Sequence, residues 1–209
     1  EYLETLLAGS RIEEVIAKDR SFSIIKGSAG LMLACSEMYI VSGSARARAL
    51  AESCAEHLLR HRWQESDALA WRVSSRVPLA GFAHGASGFA LAFAKLYEAT
   101  GVAAYRDAAL SCLEYERTLF VPQAGNWLDR RDHVLAEHAD GNWCSTGWAH
   151  GAPGIGLARL GLLSAGIDTP RIREELAIAV ATTKACGFDG NDSLIFGSFG
   201  NIELLICHR

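Results

Sequence analysis

Two histidines, His84 and His150, each stand immediately before a Gly-x-x-Gly step that opens an apolar run. His84-Gly85-Ala86-Ser87-Gly88 leads into Phe89-Ala90-Leu91-Ala92, and His150-Gly151-Ala152-Pro153-Gly154 leads into Ile155-Gly156-Leu157-Ala158. Imidazole titrates near neutral pH, so a histidine held at a fixed point can trade protons or bind a metal. The bland alternative for each is a hydrogen bond to a nearby loop carbonyl. The same grammar puts Lys26 before Gly27-Ser28-Ala29-Gly30 and Phe196 before Gly197-Ser198-Phe199-Gly200. Four copies, spaced 58, 66 and 46 residues apart from Gly27 to Gly197, make a repeat.

Each step lets the backbone pass close to its neighbour and leaves helix-opening amides free, with partial positive charge toward whatever lies ahead of the helix. The runs that follow, Gly27 to Val41, Gly85 to about Ala99 and Ile155 to Leu163, are apolar nearly all round and predict an inner layer, since such helices need cover on every side. Between them lie amphipathic stretches. The first is Tyr2 to Lys18, with Leu3, Leu6, Leu7, Ile12, Val15 and Ile16 at helical spacing. A second is capped by Ser44 and runs to about His61. A third, Tyr105 to Leu119, sends Arg106, Asp107, Glu114, Glu116 and Arg117 outward, and a fourth opens at Pro170 and ends at Gly187. Gln64 to Pro78 reads as an irregular connection holding Trp71. Val121 to Thr146 reads as the longest loop, a place where binding residues concentrate. Strand signals are few, and none precedes a glycine step, which argues against phosphate loops. The pattern predicts an all-α fold whose helical hairpins stack as a solenoid or close as an α/α toroid. Closure would gather Lys26, His84, His150 and Phe196 around one mouth.

Composition sets the outer bounds. With 209 residues, half of them hydrophobic, the chain has enough apolar surface for a substantial core. A net charge of -4 gives no basic footprint and argues against nucleic acid. No apolar run approaches the roughly 20 residues of a membrane span, and no signal peptide is expected, so the expectation is a cytoplasmic protein. Six cysteines at 35, 54, 112, 144, 186 and 207 lack any Cys-x-x-Cys spacing and read as small core residues rather than a disulfide frame.

Gly81-Phe82-Ala83-His84-Gly85-Ala86-Ser87-Gly88, Asn126-Trp127-Leu128-Asp129-Arg130, Trp148 through Leu160 and Gly197-Ser198-Phe199-Gly200-Asn201 resemble successive motifs of the lanthionine synthetase C-like family, in particular the cyclase domain of class II lanthipeptide synthetases. That resemblance implies an α/α toroid that adds a peptide cysteine thiol to a dehydroalanine or dehydrobutyrine with the help of zinc. His84 matches the family's catalytic histidine, and Lys26, His150, Phe196 and Trp148 fall where substrate would be met. The family's zinc ligands fall on Ala149, Ile195 and Phe196, none of which has a donor atom, and an expected aspartate falls on Ser23. The expectation is therefore no metal ligand and no cofactor. Of nearby donors, Cys144 alone makes no site, and Cys207 belongs at the far end of its helix.

A complete toroid of that kind has more inner helices than the four visible here, so the expected domain, residues 1–209, is a partial or reduced toroid, incomplete at both ends. The expected partner is a precursor peptide, with a dehydratase or synthetase partner or a second copy to cover open edges. The competing reading is a non-catalytic peptide-binding or scaffold pseudoenzyme. Another α/α toroid enzyme, such as a glycosidase or prenyltransferase, is a weaker match because no pair of carboxylates stands at the axis.

Overall fold

The four glycine steps fold alike, and their shape fixes the architecture. Gly27, Gly85, Gly151 and Gly197 are extended caps, each placed directly before the first residue of a helix. The second glycine of each step faces a main-chain wall: a Cβ there would overlap the carbonyl oxygen of the residue six positions earlier, namely Ile24, Phe82, Trp148 or Leu194. Only hydrogen fits. Gly154→Ala is expected to lower stability by about 1–3 kcal/mol, read by thermal or urea unfolding, because backbone cannot move aside as a side chain would. Gly190, where an added Cβ would meet nothing within 4 Å among the described residues, provides the neutral alanine control.

The computed structural model describes residues 11–65, 68–188 and 190–209. In chain order the described elements are α1 (Ile12–Lys18), α2 (Ser28–Ser42), α3 (Ala45–Arg60), a hairpin of β1 (Trp63–Glu65) and β2 (Ala68–Ala70), α4 (Ala86–Thr100), α5 (Ala103–Arg117), a hairpin of β3 (Phe120–Val121) and β4 (Asn126–Trp127), α6 (Asp132–Glu137), α7 (Ala152–Ser164), α8 (Pro170–Cys186) and α9 (Ser198–Cys207). The expected helical positions Leu3, Leu6 and Leu7 lie outside the described residues.

The glycine-started helices α2, α4, α7 and α9 pack side by side in that order, and α3, α5 and α8 each pack behind the inner helix they follow. Every residue of α4 from Ala86 to Ala94 is buried, as an apolar helix flanked on both sides requires. The two ends of the arc are more open: Val41 on α2 and Phe199, Ile202 and Ile206 on α9 face outward. Two inner helices stop in the same way, at Gly43 and Gly101, whose left-handed φ values of 69° and 71° let their amides bond the carbonyls of Tyr39 and Tyr97. Two outer helices start on side-chain caps, Ser44 accepting from the Ala47 amide and Thr169 from that of Ile172.

Three local expectations need correction. The stretch from Gln64 to Pro78 contains part of the β1–β2 hairpin, with Trp63 opposite Ala70. It then buries Trp71, whose indole donates to the Leu58 carbonyl and packs on Phe89 with ring centroids 4.3 Å apart. The stretch from Val121 to Thr146 begins with the β3–β4 hairpin and carries α6, so it is loop only in part.

Glu116 does not point outward. It is fully buried, and its carboxylate accepts from the Gly81 amide (2.9 Å), the Ser87 hydroxyl (2.7 Å) and the Arg159 guanidinium (2.8 Å). Arg159, equally buried, also bonds Glu175 at 2.8 Å, and Arg117 closes the other side of Glu175. An uncompensated ion in this interior would be costly, and pairing turns it into a strut. The strut ties inner helices α4 and α7 to outer helices α5 and α8, and through Gly81 it reaches the turn that presents His84.

Candidate functional site

The second, third and fourth glycine turns are laced by main chain. The Phe82 and Ala83 amides both donate to the Ala149 carbonyl, at 3.1 and 3.0 Å, and the Ala149 amide donates to the Ile195 carbonyl at 3.2 Å. Gly81 makes the first crossing possible. It sits at φ 96°, and a Cβ there would press on the His150 Cα at 2.9 Å. The lacing brings the two expected histidines together, their ring centroids 5.8 Å apart.

Their environments set their protonation. His150 is 8 % exposed, and burial, reinforced by the nearby Arg131 charge, pushes its pKa down to about 4. His84 is half-buried, and its pKa is lowered by burial first and then by the charges of Lys26 and Arg131. The Nδ1 atom of His84 is sealed in the interior with no hydrogen-bond partner among the described residues. Proton exchange with anything at the mouth therefore passes through Nε2. At neutral pH both rings are neutral, so His84 is poised to accept a proton.

Beside the histidines lies a cleft of about 590 Å³ lined by His150, Arg131, Cys144, Cys186, Phe196 and Asn201, among others. Its charged group is Arg131, which forks onto Asp129 with nitrogen–oxygen distances of 2.6 to 3.1 Å. Ser145 also donates to Asp129. Burial alone would raise the Asp129 pKa, but the bonds from Arg131 and Ser145 outweigh it and hold the carboxyl below its usual value. Asn126 braces the loop: its side-chain nitrogen donates to the Ser145 carbonyl at 3.0 Å and its oxygen accepts the Ala152 amide at 3.1 Å. In the other repeats the equivalent amide is met by the Asp19 carboxylate for Ser28 and by the backbone carbonyls of Leu79 for Ala86 and Asn191 for Ser198.

Of the sequence-predicted site residues, His84 and His150 meet directly. Phe196 is exposed at the cleft, with the Arg131 guanidinium 5.9 Å from its ring centre. Trp148 packs on Phe82 with centroids 5.0 Å apart and helps join neighbouring turns. Lys26 is exposed and lines a different groove, between α1 and α2, though its charge reaches His84. Ser23 is fully buried and its hydroxyl accepts the Lys26 amide. The residues that sequence reasoning missed are Asp129, Arg131 and Ser145. The acid–base spacing Asp129-x-Arg131 inside a loop otherwise rich in turn formers was the available signal.

The cysteine expectation holds for Cys35, Cys54 and Cys112, which are buried, and is corrected for the others. Cys144 is half-buried, and Cys186 and Cys207 are exposed. Cys207 is the last residue of α9, at the end away from the mouth, as the helix length required.

An inner layer of glycine-started helices converging on one mouth, with amphipathic helices behind it, defines an α/α toroid protein. The chain belongs to the lanthionine synthetase C-like family, which matches residues 3–207. Among solved structures it is similar to a nisin cyclase, with a TM-score of 0.68 and 15% identity, covering 98% of this chain and 55% of the other. It is also similar to a GH76 α-mannanase of Bacteroides thetaiotaomicron, with a TM-score of 0.62 and 15% identity, covering 87% of this chain and 50% of the other. The chain thus spans about half the length of the solved structures it matches, and at this identity the likeness is one of fold. No curated protein matches the sequence. No helix among the described residues is long and apolar enough to cross a membrane.

Zinc, the metal the family implies, requires three protein donors of nitrogen, sulfur or oxygen type in a catalytic site. The positions where the family resemblance places them are adjacent in space, since the Ala149 amide bonds the Ile195 carbonyl, but they carry a methyl, a sec-butyl and a benzyl group. Among the described residues no three His, Cys, Asp or Glu side chains converge to hold an ion. The side chains at these three positions do not fit the metal.

Proposed function

We propose that this domain handles a dehydrated peptide at the mouth as a cyclase-type lanthionine synthetase C-like protein, with His84 as the proton carrier and without a zinc ion. The observation that carries the reading is the His84 environment: a neutral imidazole with Nδ1 buried and Nε2 left for exchange, at the position matching the family's histidine. His84 takes the proton of a peptide cysteine thiol. The thiolate sulfur bonds to the β-carbon of a dehydroalanine or dehydrobutyrine, the π pair of the alkene moves out as an enolate, and the imidazolium returns the proton to the α-carbon. Nothing is lost, and the thioether ring is closed. A free thiol with pKa near 8.5 is only a few per cent thiolate at neutral pH, so an imidazole base beside it has useful work. Arg131 supplies positive charge close to both rings, and holding thiol and alkene together contributes the rest.

A second reading, a peptide-binding scaffold serving a partner synthetase, is favoured by one observation: Ile195 and Phe196 are exposed apolar side chains where donors would stand. One experiment separates them. A dehydrated cysteine-containing peptide is incubated with protein whose metal content is measured by elemental analysis, with and without EDTA. We expect cyclisation insensitive to EDTA and lowered roughly a hundredfold or more by His84→Ala, the range for loss of a positioned acid–base group. Equal rates for wild type and variant overturn the cyclase reading, as does a rate abolished by EDTA. Binding without turnover in either protein supports the scaffold.

A further inference from the structure

Away from the mouth, α1 and the start of α2 enclose a groove of about 550 Å³. Its apolar lining comes from Val15, Ile16 and Leu31, with Val15 left 64 % exposed. Three cations, Lys18, Arg20 and Lys26, stand around it. Among the described residues none of the three has a carboxylate partner, and Arg20 donates only to the Ala17 and Asp19 carbonyls. The one acid in the lining, Asp19, is already committed. It accepts the Ser28 amide (2.8 Å), the Ser28 hydroxyl (2.7 Å) and the amides of Ser21 and Phe22. Its charge is spent on the opening turn of α2 and does not offset the rim.

An apolar trough rimmed by cations that have no carboxylate partner among the described residues, on a chain of net charge -4, is complementary to an anionic ligand with a hydrocarbon side chain. The trough lies beside the mouth: Lys26 lines it, and Ile24 of the same turn packs against Gly88 of the His84 turn, its Cβ 3.4 Å from where a Gly88 Cβ would stand. The geometry points to a second binding site: the α1–α2 groove takes an acidic, leucine- or valine-bearing stretch of peptide, whose continuation lies at His84. This assignment rests on the peptide-handling reading only for what the continuation does. The groove supplies binding and the mouth supplies chemistry.

The test uses a fluorescein-labelled peptide of alternating glutamate and leucine, its lysine–leucine counterpart, and oligoglutamate, each titrated by anisotropy against the whole chain at low and physiological salt. Wild type is expected to bind the glutamate–leucine peptide with salt-sensitive affinity. The charge reversals Lys18→Glu and Lys26→Glu together should weaken it about tenfold or more, and Val15→Asp should weaken it by a smaller factor. Circular dichroism of each variant establishes that it is folded. Binding that is unchanged in the folded variants, or equally tight for the lysine–leucine peptide or for oligoglutamate, overturns the assignment. The two readings fail separately: a groove that binds while His84→Ala cyclises normally rejects the mouth, and His84-dependent cyclisation with no effect of the reversals on binding rejects the groove.

Discussion

Arg159→Met is expected to destabilise the protein by about 3–5 kcal/mol, measured as a shift in urea midpoint at unchanged slope. The guanidinium has no exposed surface and neutralises two buried carboxylates, Glu116 and Glu175, while bonding Ser87 at 3.0 Å. Methionine fills much of the volume but leaves both acids facing each other across a dry interior, with Arg117 remaining for Glu175 alone. Glu116→Gln is expected to cost less, since an amide oxygen still accepts the Gly81 amide. A loss below about 1 kcal/mol for Arg159→Met would show that water or rearrangement relieves the pair, and the strut would not be the link between core and mouth.

The second large effect is on acid stability. His150 has its folded pKa depressed to about 4 from the usual 6.5. The unfolded chain therefore binds the proton more readily between those values, and stability rises with pH across that window. Acidification from pH 6.5 to 4 should remove about 3 kcal/mol through this residue alone. The charged or titratable groups that act most on the ring among the described residues are Arg131, Asp129, His84 and His133. Of these, Asp129 alone favours the protonated form. His150→Gln keeps a polar planar group and should flatten the urea-midpoint profile in that window. His84 and His57, whose pKa values burial also lowers, leave a residual slope of the same sign. Parallel profiles for wild type and variant would mean that the ring titrates normally and is wetter than its burial implies.

The fold was legible where chemistry is local. Four Gly-x-x-Gly steps before apolar runs announced the inner helices, Ser44 and Pro170 marked outer helix starts, and Gly43, Gly101 and Gly187 marked ends, all decided by residues within one turn of each other. The mouth was legible as a column, and the structure brings His84 and His150 to it. What could not be read is what depends on distant pairing. Glu116 looks like any outward acid in an amphipathic helix until Arg159, 43 residues later, arrives beside it. Arg131 looks like a loop cation until Asp129 and Ser145 fold around it. Lys26 shares the sequence grammar of the histidines, yet it stands at the end of the arc, where α1 gives it a groove of its own.

The amide bonds that run from Phe82 and Ala83 to Ala149 and on to Ile195 have a consequence for how such a protein can change. Where a metal ion is the keystone, losing its ligands loses the shape. Here the contacts between turns are made by peptide groups, so the exposed side chains at 195 and 196 are free to vary while the three turns stay laced. Form and reactivity are inherited on separate atoms, and mutation can erase or rewrite the second without endangering the first.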